Sequence, residues 1–354
     1  MAYRVMTEQY GNPSSTHARG REAKKLLDAA RRELALCLGC QPKELAFTSC
    51  GSEADNWALL SGAWAASARG GHVISSMAEH DAVRKSLDEL ERRGYEVTRL
   101  PPDPSGAVPV QAVLDALRPD TVLVSLMLVN NETGAVNDIP GLARALKKAA
   151  PKVLLHCDAV QGFLKVPFTP ARLGVDMLTL SGHKLRAPKG IGVQYIRKGL
   201  NLKPLLLGGG QESGLRSGTE PTAQIAALAA ACDSWGEDYP ARIGSLKEYA
   251  LEALSALPGL EIVSRGDAPH ICAVSLPGYP SEMLVRALSD LGVYVSSGSA
   301  CHKGKPSHVF AALGLPKRTL MGVLRISFGP DNTREDVDAL VDGLKQTAAS
   351  RVSL

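Results

Sequence analysis

Four short stretches of this chain carry residue types suited to covalent or proton-transfer chemistry. Ser181-Gly182-His183-Lys184 follows an apolar run at 176–180 and precedes a loop at 186–192. An amine at the end of a buried strand, among small and polar residues, can be desolvated until its pKa falls and it forms a Schiff base. Most isolated lysines are merely solvated surface residues, so the company this one keeps decides its meaning. Leu155-His156-Cys157-Asp158-Ala159-Val160-Gln161 sets an acid at the carboxyl end of another apolar run. Ligands of parallel sheets bind outside those ends, where a carboxylate can hold a protonated ring nitrogen. A capping aspartate at a strand-to-loop turn accounts for that stretch equally well.

Phe47-Thr48-Ser49-Cys50-Gly51-Ser52-Glu53 lies between an expected strand and a helix start. Free backbone N–H groups, a glycine that permits close approach and nearby hydroxyls together make a phosphate cradle. Taken alone, it reads more simply as a helix capped by Ser52. The fourth stretch, Ser296-Ser297-Gly298-Ser299-Ala300-Cys301-His302-Lys303-Gly304-Lys305, sets a cysteine beside basic groups in a loop of small residues. Such surroundings favour the nucleophilic thiolate, and a glycine- and serine-rich loop gives no packing reason for a cysteine.

The elements that position these stretches alternate amphipathic helices with short apolar runs from about residue 17 to 235. That pattern predicts helices packed on a largely parallel sheet. Expected strands are 45–48, 72–76, 97–100, 121–129, 153–157, 177–180 and 192–196, a seven-stranded sheet, and 17–38 reads as a long helix stopped by Gly39. Beyond 236–240 the spacing changes. A helix at 243–257, strands near 260–263, 271–276, 293–296 and 323–328, and helices from 281 and 333 predict a smaller α+β domain. The expected division is 15–235 for the large domain, with 1–14 and 236–354 forming the small one.

With 354 residues, 45% of them apolar and 21% charged, the chain is long enough for one large core or two. The net charge of +4, with basic and acidic residues interleaved, does not suggest nucleic-acid binding. The longest apolar run, 121–129, falls far short of the roughly 18 residues that span a bilayer. No signal or anchor segment is visible near the start, and the reading is a cytoplasmic protein with no membrane partner. Seven cysteines, an odd number scattered widely, point to a reducing compartment rather than a disulfide framework. Cys37 and Cys40 form a C-x-x-C pair, but no second pair completes a zinc site, and no metal is expected.

Taken together and in order, these motifs resemble the cysteine desulfurase family, within the class V aminotransferases of fold type I. The matching stretches are 11–17 (Gly-Asn-Pro-Ser-Ser-Thr-His), 47–56, 79–83 (Glu-His-Asp-Ala-Val), 129–134 (Val-Asn-Asn-Glu-Thr-Gly), 158–161, 181–184, 216–219 (Arg-Ser-Gly-Thr), 297–301 and 324–327 (Leu-Arg-Ile-Ser), which together run through essentially the whole chain. The resemblance implies a pyridoxal 5'-phosphate (PLP) enzyme with an α/β fold and a mainly parallel seven-stranded sheet. Lys184 would carry the cofactor, His80 would stack on its ring and move protons, and Asp158 would pair with the ring nitrogen. Gln161 would contact the phenolic oxygen. Gly51, Ser52, Ser181 and His183 would hold the phosphate, joined by Thr219 from the second subunit of a homodimer. Asn131 and Arg325 would receive the substrate, the arginine through a two-pronged carboxylate contact.

The implied activity converts L-cysteine to L-alanine, with Cys301 attacking the substrate sulfur to become a persulfide. That sulfur would pass to an acceptor, either an iron–sulfur scaffold or a tRNA-thiolation protein. The loop after Cys301 resembles the flexible-loop subgroup in a shorter form. Two departures stand out: Cys50 occupies a position usually glycine, harmless unless φ is positive there. Relatives also carry a Tyr-Leu-Asp-Asn-Ala-Ala-Thr-Thr segment ahead of the Gly11 stretch. A selenocysteine lyase or another PLP-dependent lyase would use the same cofactor residues, and a catalytically weak scaffold or sulfur-relay partner is the reading from outside enzymology.

Overall fold

The computed structural model describes residues 1–298 and 307–349. These divide into two compact units, the larger formed by 1–100, 109–128 and 138–236, the smaller by 101–108, 129–137 and 237 onward. Residues 1–14, expected with the smaller domain, lie in the larger unit. The helix Ala2–Glu8 packs on the helix Thr222–Cys232, burying Val5 against Ala223 and Ala226.

The larger unit is built on seven strands: β1 (Leu45–Thr48), β2 (His72–Ser76), β3 (Glu96–Leu100), β4 (Thr121–Ser125), β5 (Leu154–Asp158), β6 (Met177–Ser181) and β7 (Gly192–Ile196), in the spatial order β1-β7-β6-β5-β4-β2-β3. The pairs β2–β3, β2–β4, β4–β5 and β5–β6 are parallel, and β7 runs antiparallel to both β6 and β1. Strands buried on both faces read as continuous apolar runs, and β2, β6 and β7 are buried along their whole length. Edge strand β3 instead carries Glu96, Thr98 and Arg99, which keep its free side from templating another strand.

One expected strand is shorter than its apolar run. Residues 121–129 stay apolar throughout, yet β4 ends at Ser125. Leu126 and Leu128 still donate to the carbonyls of His156 and Asp158. On the opposite edge, however, the N–H of Met127 turns to the buried carboxylate of Glu79 (3.1 Å) instead of a neighbouring strand.

The helix Ala18–Leu38 shows how sequence spacing becomes packing. Ala23, Leu27, Ala30, Leu34 and Leu38 recur every three or four residues and form its buried stripe. The His17 side chain caps its start by accepting from Gly20 N–H, and Gly39 ends it with φ +73°.

In the smaller unit β8 (Glu261–Ser264), β9 (Ile271–Ser275) and β10 (Val323–Ser327) form an antiparallel sheet in the order β10-β9-β8. The helices Tyr239–Ser255, Ser281–Asp290 and Arg334–Ala349 accompany it. The strand expected at 293–296 is absent as a strand. Only Ser296 pairs, exchanging backbone bonds with Arg325 at 3.2 and 2.7 Å.

Candidate active site

In the larger unit the sequence-predicted groups gather at the carboxyl ends of β5 and β6 and at the start of the helix Gly51–Ala66. Asp158 is the last residue of β5 and is buried, its Oδ1 accepting from Val160 N–H at 2.9 Å. Burial raises the carboxyl above its ordinary value, against the Val160 bond and the attraction of His80 and Lys184. The chain leaves β6 at buried Ser181 and turns at once through the short helical segment Gly182–Leu185, which carries Lys184. Lys184 and Gln161 are half-buried, and His183 is exposed. Desolvation, then Lys184, Lys189, Lys165 and His80, lower the His183 pKa, so its ring is neutral near pH 7.

His80 caps the helix Asp81–Arg92 with its side chain, Nδ1 accepting from Ala82 N–H at 3.1 Å. That bond requires a lone pair on Nδ1 and leaves the proton on Nε2. The capping role thus fixes both tautomer and orientation.

The candidate phosphate cradle has the backbone geometry its role demands. Cys50, the N-cap, has φ −173° and ψ 172°, extended backbone that any residue adopts, so the departure from glycine there introduces no strain. Its side chain makes no cap hydrogen bond, leaving the first-turn N–H groups at Gly51 and Ser52 for an anion. Gly51 packs closely here: a Cβ would stand 3.1 Å from Val160 Cγ2 and 3.2 Å from Ser181 Cβ, so those side chains would have to give by a few tenths of an ångström. This brings the cradle, the loop after Asp158 and the end of β6 together. Thr219 stands exposed on the loop after Arg216.

Two more of the expected residues belong to the smaller unit. Arg325, on β10, donates from Nη1 to the Asn131 carbonyl at 3.0 Å. Its Nε and Asn131 Oδ1 are buried without a hydrogen-bond partner among the described residues. Burial lowers the Arg325 pKa, with the carboxylate of Glu132 opposing. Cys301 lies outside the described residues.

Several groups near these were not singled out from sequence. Glu79 is buried, accepts from Ser76 Oγ at 2.9 Å and from Met127 N–H, and is pushed up to about 8, chiefly by burial. Asp55, one turn into the helix that begins at Gly51, is also buried and raised well above its ordinary value by desolvation and then by Asp158. It lies 3.7 Å from His156, which burial keeps neutral at about 3 and which bridges Ser125 and Thr179. Glu53 pairs with Arg216, and Lys165 lies buried after the Asp158 loop. Glu53, Asp55, Glu79, His156 and Arg216 all fall within stretches quoted from the sequence, but what each one pairs with, like the burial of Lys165, is shown only by the fold.

The donor set fits PLP. The raised Asp158 carboxyl lacks a full counter-charge of the kind a protonated ring nitrogen supplies, and Lys184 is within its electrostatic reach. The uncapped helix start suits a phosphate, and among the described residues no group of acidic, histidine and cysteine side chains suited to a metal occurs. No described helix is long and apolar enough to cross a membrane.

The family described as aminotransferase class-V matches residues 2–340. A cysteine desulfurase IscS of Methanosarcina thermophila is 38% identical over 346 residues, 95% of this chain and 85% of that protein. The cysteine desulfurase IscS of Clostridium botulinum is 36% identical over 355 residues, 98% and 89% of the two chains. Among solved structures, a NifS-like protein superimposes with a TM-score of 0.92 at 35% identity, covering 98% of this chain and 94% of its own. A structure described as SspA in complex with cysteine gives 0.83 at 32% identity, covering 94% of each.

Proposed function

We propose, from the premise that the chain belongs to the class V aminotransferase family and within it to the cysteine desulfurases, that it converts L-cysteine to L-alanine using PLP and captures the sulfur on Cys301. The observation that carries this reading is the meeting of Lys184, buried Asp158 and the Gly51 cradle within one unit. Lys184, Asp158 and the Gly51 cradle belong to the larger unit, and Asn131 and Arg325 to the smaller.

Lys184 would hold the cofactor, Asp158 its ring nitrogen, Gln161 its phenolic oxygen, and Gly51, Ser52, Ser181 and His183 its phosphate. Bound there, the cofactor supplies an electron sink for the substrate α-carbon. The protein's own part is positional. His80, its Nδ1 tied to Ala82, keeps its proton on Nε2, the side that would stack against the cofactor ring and move protons there. Arg325 and Asn131 would hold the substrate by its carboxylate. Lys184 would also be the amine that receives the α-proton. The Cys301 thiolate then attacks the substrate sulfur, so that the Cβ–S bond breaks, the new S–S bond forms on Cys301, and the carbon skeleton takes up protons to leave as alanine.

The whole-chain match to cysteine desulfurases supports a homodimer, with Thr219 reaching the phosphate of a second copy's site. It likewise supports onward transfer of the sulfur to an acceptor protein of iron–sulfur assembly or tRNA thiolation. The scattered cysteines favour a cytoplasmic setting.

The test is cysteine turnover by the purified chain, followed as alanine and as persulfide on Cys301. Visible absorbance abolished by Lys184→Ala, and alanine from cysteine lost in Cys301→Ala, are the expected results. Undiminished persulfide transfer by Cys301→Ala would overturn the assignment of that residue, and a chain that cannot be coloured by PLP would overturn the reading as a whole. Selenocysteine assayed in parallel separates a lyase, which would not need Cys301.

A further inference from the structure

The smaller unit buries an amine that the mechanism above does not use. Lys247, on the helix Tyr239–Ser255, is only 4% exposed. Its Nζ donates to two backbone carbonyls in the connection between β8 and β9, Gly266 at 2.6 Å and Ala268 at 2.8 Å. Two acceptors need two N–H groups, which a lysine offers with or without its third proton, so the contact does not depend on how the amine titrates. An apolar side chain of the same size would leave both carbonyls without this donor.

That connection in turn holds the segment that carries Asn131. Ala268 N–H donates to the Gly134 carbonyl at 2.9 Å, Ser264 Oγ donates to the Thr133 carbonyl at 2.9 Å, and the Asp267 carboxylate accepts from Val136 N–H at 3.1 Å. The two backbones also meet directly. A Cβ on Gly266, whose φ is +63°, would fall 2.6 Å from the Thr133 carbonyl oxygen and 3.0 Å from Gly134 Cα. Residues 130–135 close into a tight turn: Asn130 N–H donates to the Ala135 carbonyl at 2.9 Å and Gly134 N–H to the Asn130 carbonyl at 3.0 Å. Asn130 Oδ1 accepts from the N–H groups of Glu132 and Thr133, both at 2.9 Å. Asn131 stands inside this turn, with its carbonyl on Arg325 Nη1 at 3.0 Å. Its place is therefore set by whatever holds the root of the turn.

We propose that Lys247 is a positioning residue for the substrate: by fixing 264–268 it fixes the turn of Asn131, and with it the carbonyl on which the Arg325 guanidinium rests. The proposal deepens the reading above and rests on Asn131 and Arg325 being the substrate contacts. Lys247 itself touches neither of them. Its influence passes through the three bonds from Ser264, Asp267 and Ala268 to residues 133–136.

The test follows amide hydrogen exchange in the full chain by mass spectrometry, beside cysteine turnover by the holoenzyme. In Lys247→Met the peptide spanning 130–136 should exchange about tenfold faster than in wild type, while the amides of β9 and β10 keep their rates. KM for cysteine should rise about fivefold or more, with a smaller change in kcat. Ser264→Ala removes one bond at the turn and leaves Lys247 in place. It should show the same pattern in weaker form, and it carries the test if Lys247→Met does not fold. Exchange at 130–136 unmoved in a folded variant would overturn the proposal. So would exchange that quickens evenly through the smaller unit, the behaviour of a lysine needed only for stability. Exchange requires neither cofactor nor substrate, which separates this inference from the reading beneath it. Local loosening with an unchanged KM would uphold the anchoring of the turn and remove Asn131 from the substrate site. A wild-type chain without turnover would sink the proposed activity and leave the exchange rates to decide on Lys247.

Discussion

Glu53 and Arg216, 163 positions apart in the chain, form a two-pronged ion pair, with Arg216 Nε and Nη2 at 2.7 and 3.0 Å from the two carboxylate oxygens. The same carboxylate accepts from the backbone N–H and hydroxyl of Ser49, at 2.9 and 2.5 Å. One acidic side chain thus joins the strand end before the candidate cradle, the first turn after it, and the loop that carries Thr219.

Removing one partner leaves the other charge largely buried, as their side-chain exposures are only 17% and 13%. Arg216→Met should lower stability by about 2–3 kcal/mol, read from chemical denaturation, and weaken PLP retention. Arg216→Lys should recover only part of this, since an ammonium cannot make two parallel bonds. A PLP affinity unchanged in Arg216→Met would separate this loop from the cradle.

The pair also sets a pH dependence. Burial raises the Glu53 carboxyl, but the bonds from Arg216 and Ser49 more than reverse this and leave it below its ordinary value. A carboxylate lowered in the folded state stabilises above its unfolded pKa and loses that contribution as pH falls through the folded one. The wild-type melting temperature should therefore drop as the pH is taken below about 4, and the drop should be shallower in Arg216→Met. Parallel curves for the two proteins would show that Glu53 contributes nothing to acid sensitivity.

Gly192 and Cys50 invite opposite substitutions. A Cβ on Gly192 would fall 2.5 Å from the carbonyl carbon of Cys50 and 2.7 Å from its oxygen, so the segment between β1 and the helix at Gly51 must shift. Gly192→Ala should weaken PLP binding at least tenfold, about 1.4 kcal/mol or more. Cys50→Ala, at an extended φ, should change it less than twofold in an absorbance titration. A Cys50→Ala variant as damaged as Gly192→Ala would mean that the thiol itself contributes to binding.

Much of the scaffold was legible because buried parallel strands write themselves as apolar runs. Strands β1, β2 and β7 occupy the expected ranges, and Asp158 and Lys184 were placeable because each follows such a run directly. The failures came where pairing, not hydropathy, decides. Residues 126–129 remain apolar but surrender strand pairing on one side to Glu79, and 293–296 has strand composition but only one paired residue. Asp55, Lys165 and the Glu53–Arg216 pair stayed hidden for another reason. A polar residue on a helix or turn reads as solvated until the fold shows what covers it, and Arg216 approaches Glu53 only through tertiary packing.

Arg325 gives a kinetic prediction. Its guanidinium is anchored by Nη1 on the Asn131 carbonyl while Nε stays buried and unpartnered among the described residues, an orientation that leaves donors for a carboxylate. Arg325→Lys keeps the charge and loses the fork. KM for cysteine should rise about tenfold or more with a smaller change in kcat, as expected for a group that holds the substrate similarly before and during reaction. An unchanged KM would remove Arg325 from the substrate site.

Asp158→Asn should act in opposite directions on the two forms of the protein. Burial holds the Asp158 pKa above its ordinary value, so between the unfolded and folded pKa values the native state binds the proton more tightly, and stability falls as pH rises through that window. Without cofactor, this carboxylate is thus a cost at neutral pH. Asparagine removes the charge while its side-chain oxygen still accepts from Val160 N–H. The cofactor-free variant should melt higher than wild type at pH 7, by roughly 2–4 °C per kcal/mol relieved, and the two should converge in acid. With PLP the order should reverse, because only the charged carboxylate pairs with a protonated ring nitrogen, and cysteine turnover should fall by about a hundredfold or more. A cofactor-free variant that melted lower than wild type would show that Lys184 already neutralises Asp158, and that the site does not await a cation.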